Sequence, residues 1–188
     1  MTSYEAPYGP ARHYTSTHLF FYGYELQLPE ACLQQWYPSC FTDPISGHRF
    51  PACEHWQMYQ KAILFEGADS DSANAVLAAN TPGEANKLGR GVKGYNKKIW
   101  EEKREGVVEE GNYLKFSQSE ECRRALLKTA ELVLVEGSPV DRVWGIGLRG
   151  DEAEGKEEEW GLSLLGKALM RVRERLRKEG YRDDSGKS

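Results

Sequence analysis

The most informative stretch of this sequence is residues 51–65, which read PACEHWQMYQKAILF. It predicts a helix that carries ionisable groups in positions where a helix core is normally apolar. At 3.6 residues per turn, Glu54, Met58 and Lys61 fall along one stripe of that helix. A carboxylate and an ammonium group two turns apart can then lie together at the wall of a pocket. The alternative is an exposed ion pair on a solvated helix face, which contributes little.

The composition is that of an ordinary globular protein. The chain has 188 residues, 39% of them hydrophobic and 29% charged, with a formal net charge of -4. This length fits one domain with a real core, and the hydrophobic content excludes a disordered chain. The acidic balance argues against a general nucleic-acid binder, which is usually basic.

The cysteines and histidines predict neither a disulfide framework nor a metal centre. The four cysteines are unevenly spaced and form no C-x-x-C pair. His48, Cys53 and His55 match no common metal site, so we expect a packed cysteine with surface histidines. No signal segment and no apolar run of membrane-spanning length are visible. We therefore expect a cytoplasmic protein, with a nuclear location as the alternative, that uses no metal and no cofactor.

Periodicity and capping signals predict a mainly α-helical domain with short β elements. A flexible arm over residues 1–17, a single compact domain over 18–178 and a disordered tail over 179–188 are expected. The predicted elements are a strand at 18–22 and helices at 51–65, at 71–79, from a capping box at Thr81, from Asn96 and at 160–177. The helix from Asn96 is expected to be kinked or broken at Gly106 and Gly111, because glycine has a low helix propensity.

A second group of candidate residues lies in the glycine-rich segment 137–147. Asp141 precedes Trp144 by three residues, so a carboxylate and a flat aromatic face can share one pocket. Gly145 lets the backbone approach a ligand closely. The alternative is a tight turn in which Asp141 caps the backbone and Trp144 is simply buried.

Residues 89–93, Gly-Arg-Gly-Val-Lys, form a third candidate site. Backbone N–H groups and the guanidinium of Arg90 suit a phosphate group. The spacing matches neither the dinucleotide nor the nucleotide-triphosphate glycine motif, so the signal is weak by itself.

In order and spacing, these segments resemble the NADAR family, also called YbiA-like, whose name refers to NAD and ADP-ribose. The resemblance runs from about residue 19 to 176, nearly the whole chain. The matching pieces are Phe21-Tyr22-Gly23, residues 35–41, residues 51–65, Gly89-Arg90, Trp100-Glu101, Lys115-Phe116, Leu134-Val135-Glu136, residues 141–147 and residues 165–173.

The resemblance implies N-glycosidase chemistry, in which water cleaves the bond between a base nitrogen and the anomeric carbon of ribose. The substrates associated with the family are phosphorylated ribosylamino-pyrimidine intermediates of riboflavin synthesis and ADP-ribose attached to guanine. A nucleotide-like small molecule is therefore the expected partner, and nucleic acid only as a modified substrate. Such cleavage passes through an oxocarbenium-like state that a nearby carboxylate stabilises.

Carried over by position, the resemblance assigns roles to nine residues of this chain. Glu54 stabilises the oxocarbenium or acts as general base, Asp141 is the second carboxylate, and Trp144 packs on the base or sugar. The remaining residues are expected to bind substrate: Lys61 and Arg90 hold phosphate or tune Glu54, Tyr22, Trp36 and Phe41 line the pocket entrance, and Gly145 lies in the glycine-rich loop.

The chain departs from the family pattern before its last helix. Ser163 stands where the Gly-x-Asn-x-Leu-Gly pattern has asparagine, and the loop at residues 149–159 is longer and more acidic than usual. An acidic loop near the pocket would repel a polyanion, which favours a small-molecule substrate. The rival from another class is a non-catalytic module that binds ADP-ribose or NAD.

Overall fold

The computed structural model describes residues 11–24 and 27–182. Their elements are the strands β1 (Arg12–Tyr14), β2 (His18–Phe21), β3 (Phe41–Thr42), β4 (Arg49–Phe50) and β5 (Val133–Glu136), and the helices α1 (Cys53–Glu66), α2 (Asp71–Ala78), α3 (Pro82–Arg90), α4 (Lys97–Gln118), α5 (Glu120–Lys128) and α6 (Leu164–Lys178). The predicted fold class, mainly α with short β elements, is confirmed. The chain divides into two compact units. We call residues 35–120 the central unit and the remaining described residues the terminal unit.

The central unit is built around α1. Seven consecutive residues of this helix, Cys53–Tyr59, are buried, because α2, α3 and α4 all pack against it. A helix contacted on several sides has no solvated face in that stretch, so its polar side chains are buried as well. The predicted helix is confirmed, with Glu54 buried and Lys61 half-buried.

The start of α3 is fixed by its capping residues. Thr81 is the N-cap, and its hydroxyl accepts a hydrogen bond from the backbone N–H of Glu84 at 3.1 Å. Pro82 occupies the first turn, where its missing N–H costs nothing. The helix ends at Arg90, before Gly91. These capping signals were readable in the sequence, and the predicted helix is confirmed.

The break expected in the fourth helix is wrong, since α4 runs without interruption over 22 residues. Gly111 is a packing residue: a Cβ built there would lie 2.4 Å from a ring carbon of Trp56. The indole N–H of Trp56 donates to the carbonyl of Val107 at 2.8 Å, one turn earlier. The glycine thus lets α1 approach α4 closely, and this packing outweighs its low helix propensity.

The terminal unit holds a three-stranded sheet in the order β1-β2-β5. β1 pairs antiparallel with β2, and β2 pairs parallel with β5, with His18 opposite Val133. Helix α6 packs on β5, where a Cβ at Gly166 would lie 1.9 Å from the carbonyl oxygen of Leu134. Most of the apolar run 132–135 lies in β5. It forms a strand because it pairs in parallel with β2 and is covered by helix α6.

The last helix begins at Leu164, four residues later than predicted. The backbone N–H groups of residues 161–165 donate to carbonyls of residues 142–146 instead of forming the first helical turn. Ser163 adopts a left-handed conformation with φ of 49° at this junction. Asparagine tolerates this conformation better than serine, which accounts for the asparagine in the family pattern.

Part of the predicted flexible arm is ordered. Arg12 and Tyr14 of β1 both reach Glu30, with an Nη1–Oε2 distance of 2.8 Å and an Oη–Oε1 distance of 2.7 Å. Strand pairing and this shared carboxylate hold residues 12–14 against the sheet. Residues 1–10 of the arm and 183–188 of the predicted tail lie outside the described residues.

We predict opposite effects of alanine at two glycines of α4. Gly106→Ala, at an exposed site with open space around it, should stabilise the protein by about 0.5–1 kcal/mol through helix propensity. Gly111→Ala should destabilise it by about 1–3 kcal/mol, because the new methyl group overlaps Trp56. Urea unfolding of the two variants measures both effects. Equal effects at the two sites would contradict the packing role of Gly111.

Ser163→Asn should raise the free energy of unfolding by about 0.5–1 kcal/mol, because it relieves left-handed strain at the start of α6. Ser163→Ala is the matched control and should bring no such gain, since the serine side chain makes no capping hydrogen bond. Chemical denaturation compares the three proteins. An asparagine variant no more stable than wild type would show that the junction is not strained.

Titration of Tyr14 tests the order of β1. Burial, together with the hydrogen bond to Glu30, raises the pKa of Tyr14 from 10.0 to about 12. Its contribution to stability is therefore complete below pH 10 and lost as the pH rises through 12. Glu30→Gln should return the Tyr14 pKa towards 10, as measured by ultraviolet absorbance with Tyr14→Phe identifying the signal. A Tyr14 pKa near 10 in the wild type would mean that strand β1 is not formed.

Candidate active site

Helices α1 and α3 of the central unit meet along one face of each helix. The Asn86 amide nitrogen donates to Oε1 of Glu54 at 2.7 Å. One turn further along α1, Met58 fills the space where a Cβ of Gly89 would stand, 2.1 Å from its sulfur. We call the residues Glu54, Met58, Lys61, Asn86, Gly89 and Arg90 the α1–α3 face. Along this face, the residues of α1 and those opposite them on α3 follow one another in the same order.

Glu54 is a buried carboxylate at the start of a helix. Its side chain lies in the first turn of α1 and the residue is 5% exposed. Its backbone N–H donates to the carbonyl of Gln35 at 3.1 Å. The positive end of the helix dipole favours a negative charge at this position. The structure therefore places the predicted catalytic carboxylate out of bulk water and between fixed dipoles.

Lys61 lies two turns along α1 in a partly aromatic environment. Its ammonium group is 4.4 Å from the centre of the Tyr95 ring and 5.9 Å from that of Trp100. Burial lowers the pKa of Lys61, and the nearby charge of Arg90 lowers it further, whereas Glu54 raises it. A lysine whose positive charge is disfavoured by a nearby arginine forms, together with that arginine, a natural site for an anion such as phosphate.

Two of the aromatic residues predicted at the pocket entrance, Trp36 and Phe41, belong to the central unit, and their surroundings differ. The half-buried ring of Trp36 lies 3.6 Å from the Cβ position of Gly83, one turn of α3 before Asn86. Trp36 is therefore near the α1–α3 face. Phe41 is 2% exposed and packs with Phe50. The prediction that Phe41 lines the entrance is wrong, because its ring belongs to the hydrophobic core.

In the terminal unit, Asp141 shapes the glycine-rich loop. Its Oδ1 accepts hydrogen bonds from the backbone N–H groups of Val143 at 2.7 Å and Trp144 at 2.9 Å. This is the capping geometry anticipated as the alternative to a catalytic carboxylate. Trp144 is half-buried. The loop thus presents Trp144 in an orientation that Asp141 fixes.

Gly145 is required for packing within the loop. A Cβ there would lie 2.9 Å from the Ser138 Cβ and 3.0 Å from the carbonyl oxygens of Asp141 and Glu136. The chain itself fills the space beside this glycine, so packing is sufficient reason for a glycine here, and its approach to a ligand stays a prediction. Tyr22, half-buried, follows β2 directly, and its N–H donates to the carbonyl of Ala11 at 2.8 Å.

Three polar residues, two of them buried and Asn86 half-buried, were missed or misplaced by sequence reasoning. Asn86 was not singled out, and no local signal marks it. Glu136 is buried at the end of β5, where the charge that closes the apolar run 132–135 was the available signal. His55 was expected at the surface but is 1% exposed, and burial lowers its pKa.

The acidic segment that follows the glycine-rich loop is ordered and anchored. It contains two single 3-10 turns, Gly150–Glu152 and Glu157–Glu159. Ala153 is fully buried, and its carbonyl accepts a hydrogen bond from the Trp160 indole at 3.1 Å. Arg142 donates to the carbonyl of Glu159 at 2.8 Å. The segment is therefore not a fully solvated loop, although its run of glutamates is exposed.

The sequence matches the family model of the NADAR domain over residues 20–177, which includes both units. This chain belongs to the NADAR family. The extent of the match confirms the resemblance read from the scattered sequence pieces, and it includes every residue assigned a role above.

Relatives of this NADAR chain include proteins named as N-glycosidases. N-glycosidase R617 of Acanthamoeba polyphaga mimivirus is 36% identical over 166 residues, which cover 85% of this chain and 96% of that protein. N-glycosidase YbiA of Escherichia coli K12 is 32% identical over 70% of this chain and 74% of that protein. The riboflavin biosynthesis protein PYRR of Zea mays, chloroplastic, is 33% identical over 68% of this chain but only 20% of that protein.

A solved structure supports the fold. The NMR structure of E. coli YbiA matches 94% of this NADAR chain and 95% of its own chain, with a TM-score of 0.67 and 24% sequence identity. In the described part of the chain, no helix combines the length and apolarity needed to cross a bilayer.

Proposed function

We propose that this NADAR protein is an N-glycosidase that hydrolyses the bond between a base nitrogen and the anomeric carbon of a phosphorylated ribose. The observation that carries the proposal is the α1–α3 face, where a buried carboxylate is held by an amide and two cations lie along the same helix pair. The N-glycosidase names of the mimivirus and E. coli relatives support the same chemistry.

The reaction requires a negative charge beside the ribose. As the C–N bond breaks, its electron pair leaves with the base nitrogen, which takes up a proton, and positive charge develops on the anomeric carbon and ring oxygen. The Glu54 carboxylate stabilises that charge. The oxygen of one water molecule then bonds to the anomeric carbon; one proton of that water stays on the new hydroxyl group, and the other is lost to solvent or to Glu54. One water is consumed, and base and free sugar are the products.

The other residues receive roles suited to their positions. Lys61 and Arg90 bind the phosphate, because two cations suit a dianion better than either one alone. Trp36 offers a stacking surface near the α1–α3 face. In the terminal unit, the Trp144 indole offers an aromatic surface to a base or sugar, and Asp141 serves to position that indole rather than to transfer protons. Tyr22 is a further candidate binding residue of that unit.

The proposed substrate is a small molecule. The name of the maize relative favours a ribosylamino-pyrimidine phosphate of riboflavin synthesis. ADP-ribosyl guanine is the second candidate, since it presents the same base, ribose and phosphate groups. The exposed glutamates at residues 154–159 disfavour a polyanionic carrier of that guanine.

Glu54→Gln should lower kcat by at least about 10²-fold, because it removes the charge that stabilises the transition state. The melting temperature should change little, since the glutamine oxygen still accepts the Asn86 hydrogen bond. Mass spectrometry of the released base, with both candidate substrates, measures the loss. Glu102→Gln, at an exposed position on α4, is the matched control and should retain full activity.

Three results would contradict the proposal. Full activity of Glu54→Gln would remove Glu54 from the mechanism. A large fall in melting temperature with activity retained would mark Glu54 as a structural residue. Tight binding of ADP-ribose without release of base from either substrate would instead identify a non-catalytic binding module.

A further inference from the structure

We infer that Asn86 is a positioning residue that keeps Glu54 ionised and oriented, an inference that rests on the proposed N-glycosidase function. The two side chains are 32 positions apart in the sequence and meet only because α3 packs against α1. Their nitrogen–oxygen distance of 2.7 Å is at the short end of the range for a charge-assisted hydrogen bond.

The position of Asn86 depends on the packing beside it. Asn86 and Gly89 are three residues apart on α3, so they lie on the same face of that helix. Gly89 has no side chain where Met58 passes. This close approach brings the amide within reach of the carboxylate. A bulkier residue at 89 would separate the helices and break the contact.

The chemistry of the amide selects one protonation state of the carboxyl group. The amide nitrogen only donates, so its hydrogen bond to Glu54 favours the carboxylate over the neutral acid. Burial has the opposite effect, because it disfavours the charged form. A donor at 2.7 Å therefore offsets the desolvation that a 5% exposed carboxylate experiences.

A neutral donor has an advantage over a cation in this position. An arginine salt bridge would also hold the carboxylate, but its charge would cancel much of the field at the ribose. Asn86 orients Glu54 without cancelling that charge. The cations Lys61 and Arg90 are further along the two helices, at the positions proposed for phosphate. The amide therefore holds the carboxylate in place without adding a counter-charge of its own, which suits a group that stabilises an oxocarbenium-like transition state.

The pH dependence of Asn86 variants tests the inference. Without the donor, Glu54 should protonate more readily, so the acid limb of the kcat profile should move to higher pH in Asn86→Ala. In the isosteric Asn86→Asp, two carboxylates share the site and the upward shift should be larger. kcat should fall at neutral pH with little change in KM. Asn74→Asp, at an exposed position on α2, is the matched control and should not shift the profile.

A direct titration separates this inference from the proposed function. Carbon-13 NMR of the Glu54 carboxyl, assigned with Glu54→Gln, reports its ionisation without any substrate. A titration midpoint that rises in both Asn86 variants supports the positioning role, whether or not a substrate is turned over. An unchanged midpoint in a folded Asn86→Ala protein overturns it, even if wild-type hydrolysis is confirmed. Absence of hydrolysis with both candidate substrates would refute the N-glycosidase proposal, but it would not affect the positioning role of Asn86.

Discussion

The close approach of α3 to α1 at Gly89 is the constraint on which the candidate site depends. Met58 occupies the volume that any side chain at position 89 would need. Once the helices are fixed there, helical periodicity determines what meets on either side of the contact. Glu54 faces Asn86, and Lys61 lies within the field of Arg90. One small residue therefore sets how closely the α3 residues Asn86 and Arg90 approach Glu54 and Lys61 of α1, and the capping of α3 by Thr81 fixes where that helix begins.

The burial of Glu54 is costly for a purely structural helix. A carboxylate removed from water loses solvation that an apolar side chain would never need. The central unit offsets this cost with the amide of Asn86, the N-terminal end of α1 and the nearby cations. Stability alone favours an apolar residue at this position, and rules of folding are broken mainly where function requires it. In the terminal unit, Asp141 instead uses its carboxylate to hold backbone N–H groups, so the two acidic residues have different tasks.

The parts of the site that sequence analysis predicted are those set by local periodicity or capping. The Glu54–Lys61 stripe follows from 3.6 residues per turn, and α3 from its capping box. Asn86 was not predictable, because its contact with Glu54 depends on how two helices pack. The same holds for Gly111, which looked like a helix breaker but allows α1 and α4 to touch, and for Phe41, which is drawn into the core. The late start of α6 arises from hydrogen bonds to the glycine-rich loop, which are equally non-local.

The most direct test of the central claim is hydrolysis of the ribosylamino-pyrimidine phosphate in water enriched in oxygen-18, with mass analysis of both products. If the α1–α3 face promotes cleavage of the glycosidic bond, one labelled oxygen will appear on the anomeric carbon of the sugar and none in the released base. Label in the base, or release of labelled phosphate with the glycosidic bond intact, would contradict the account, since the water would then have attacked a different bond.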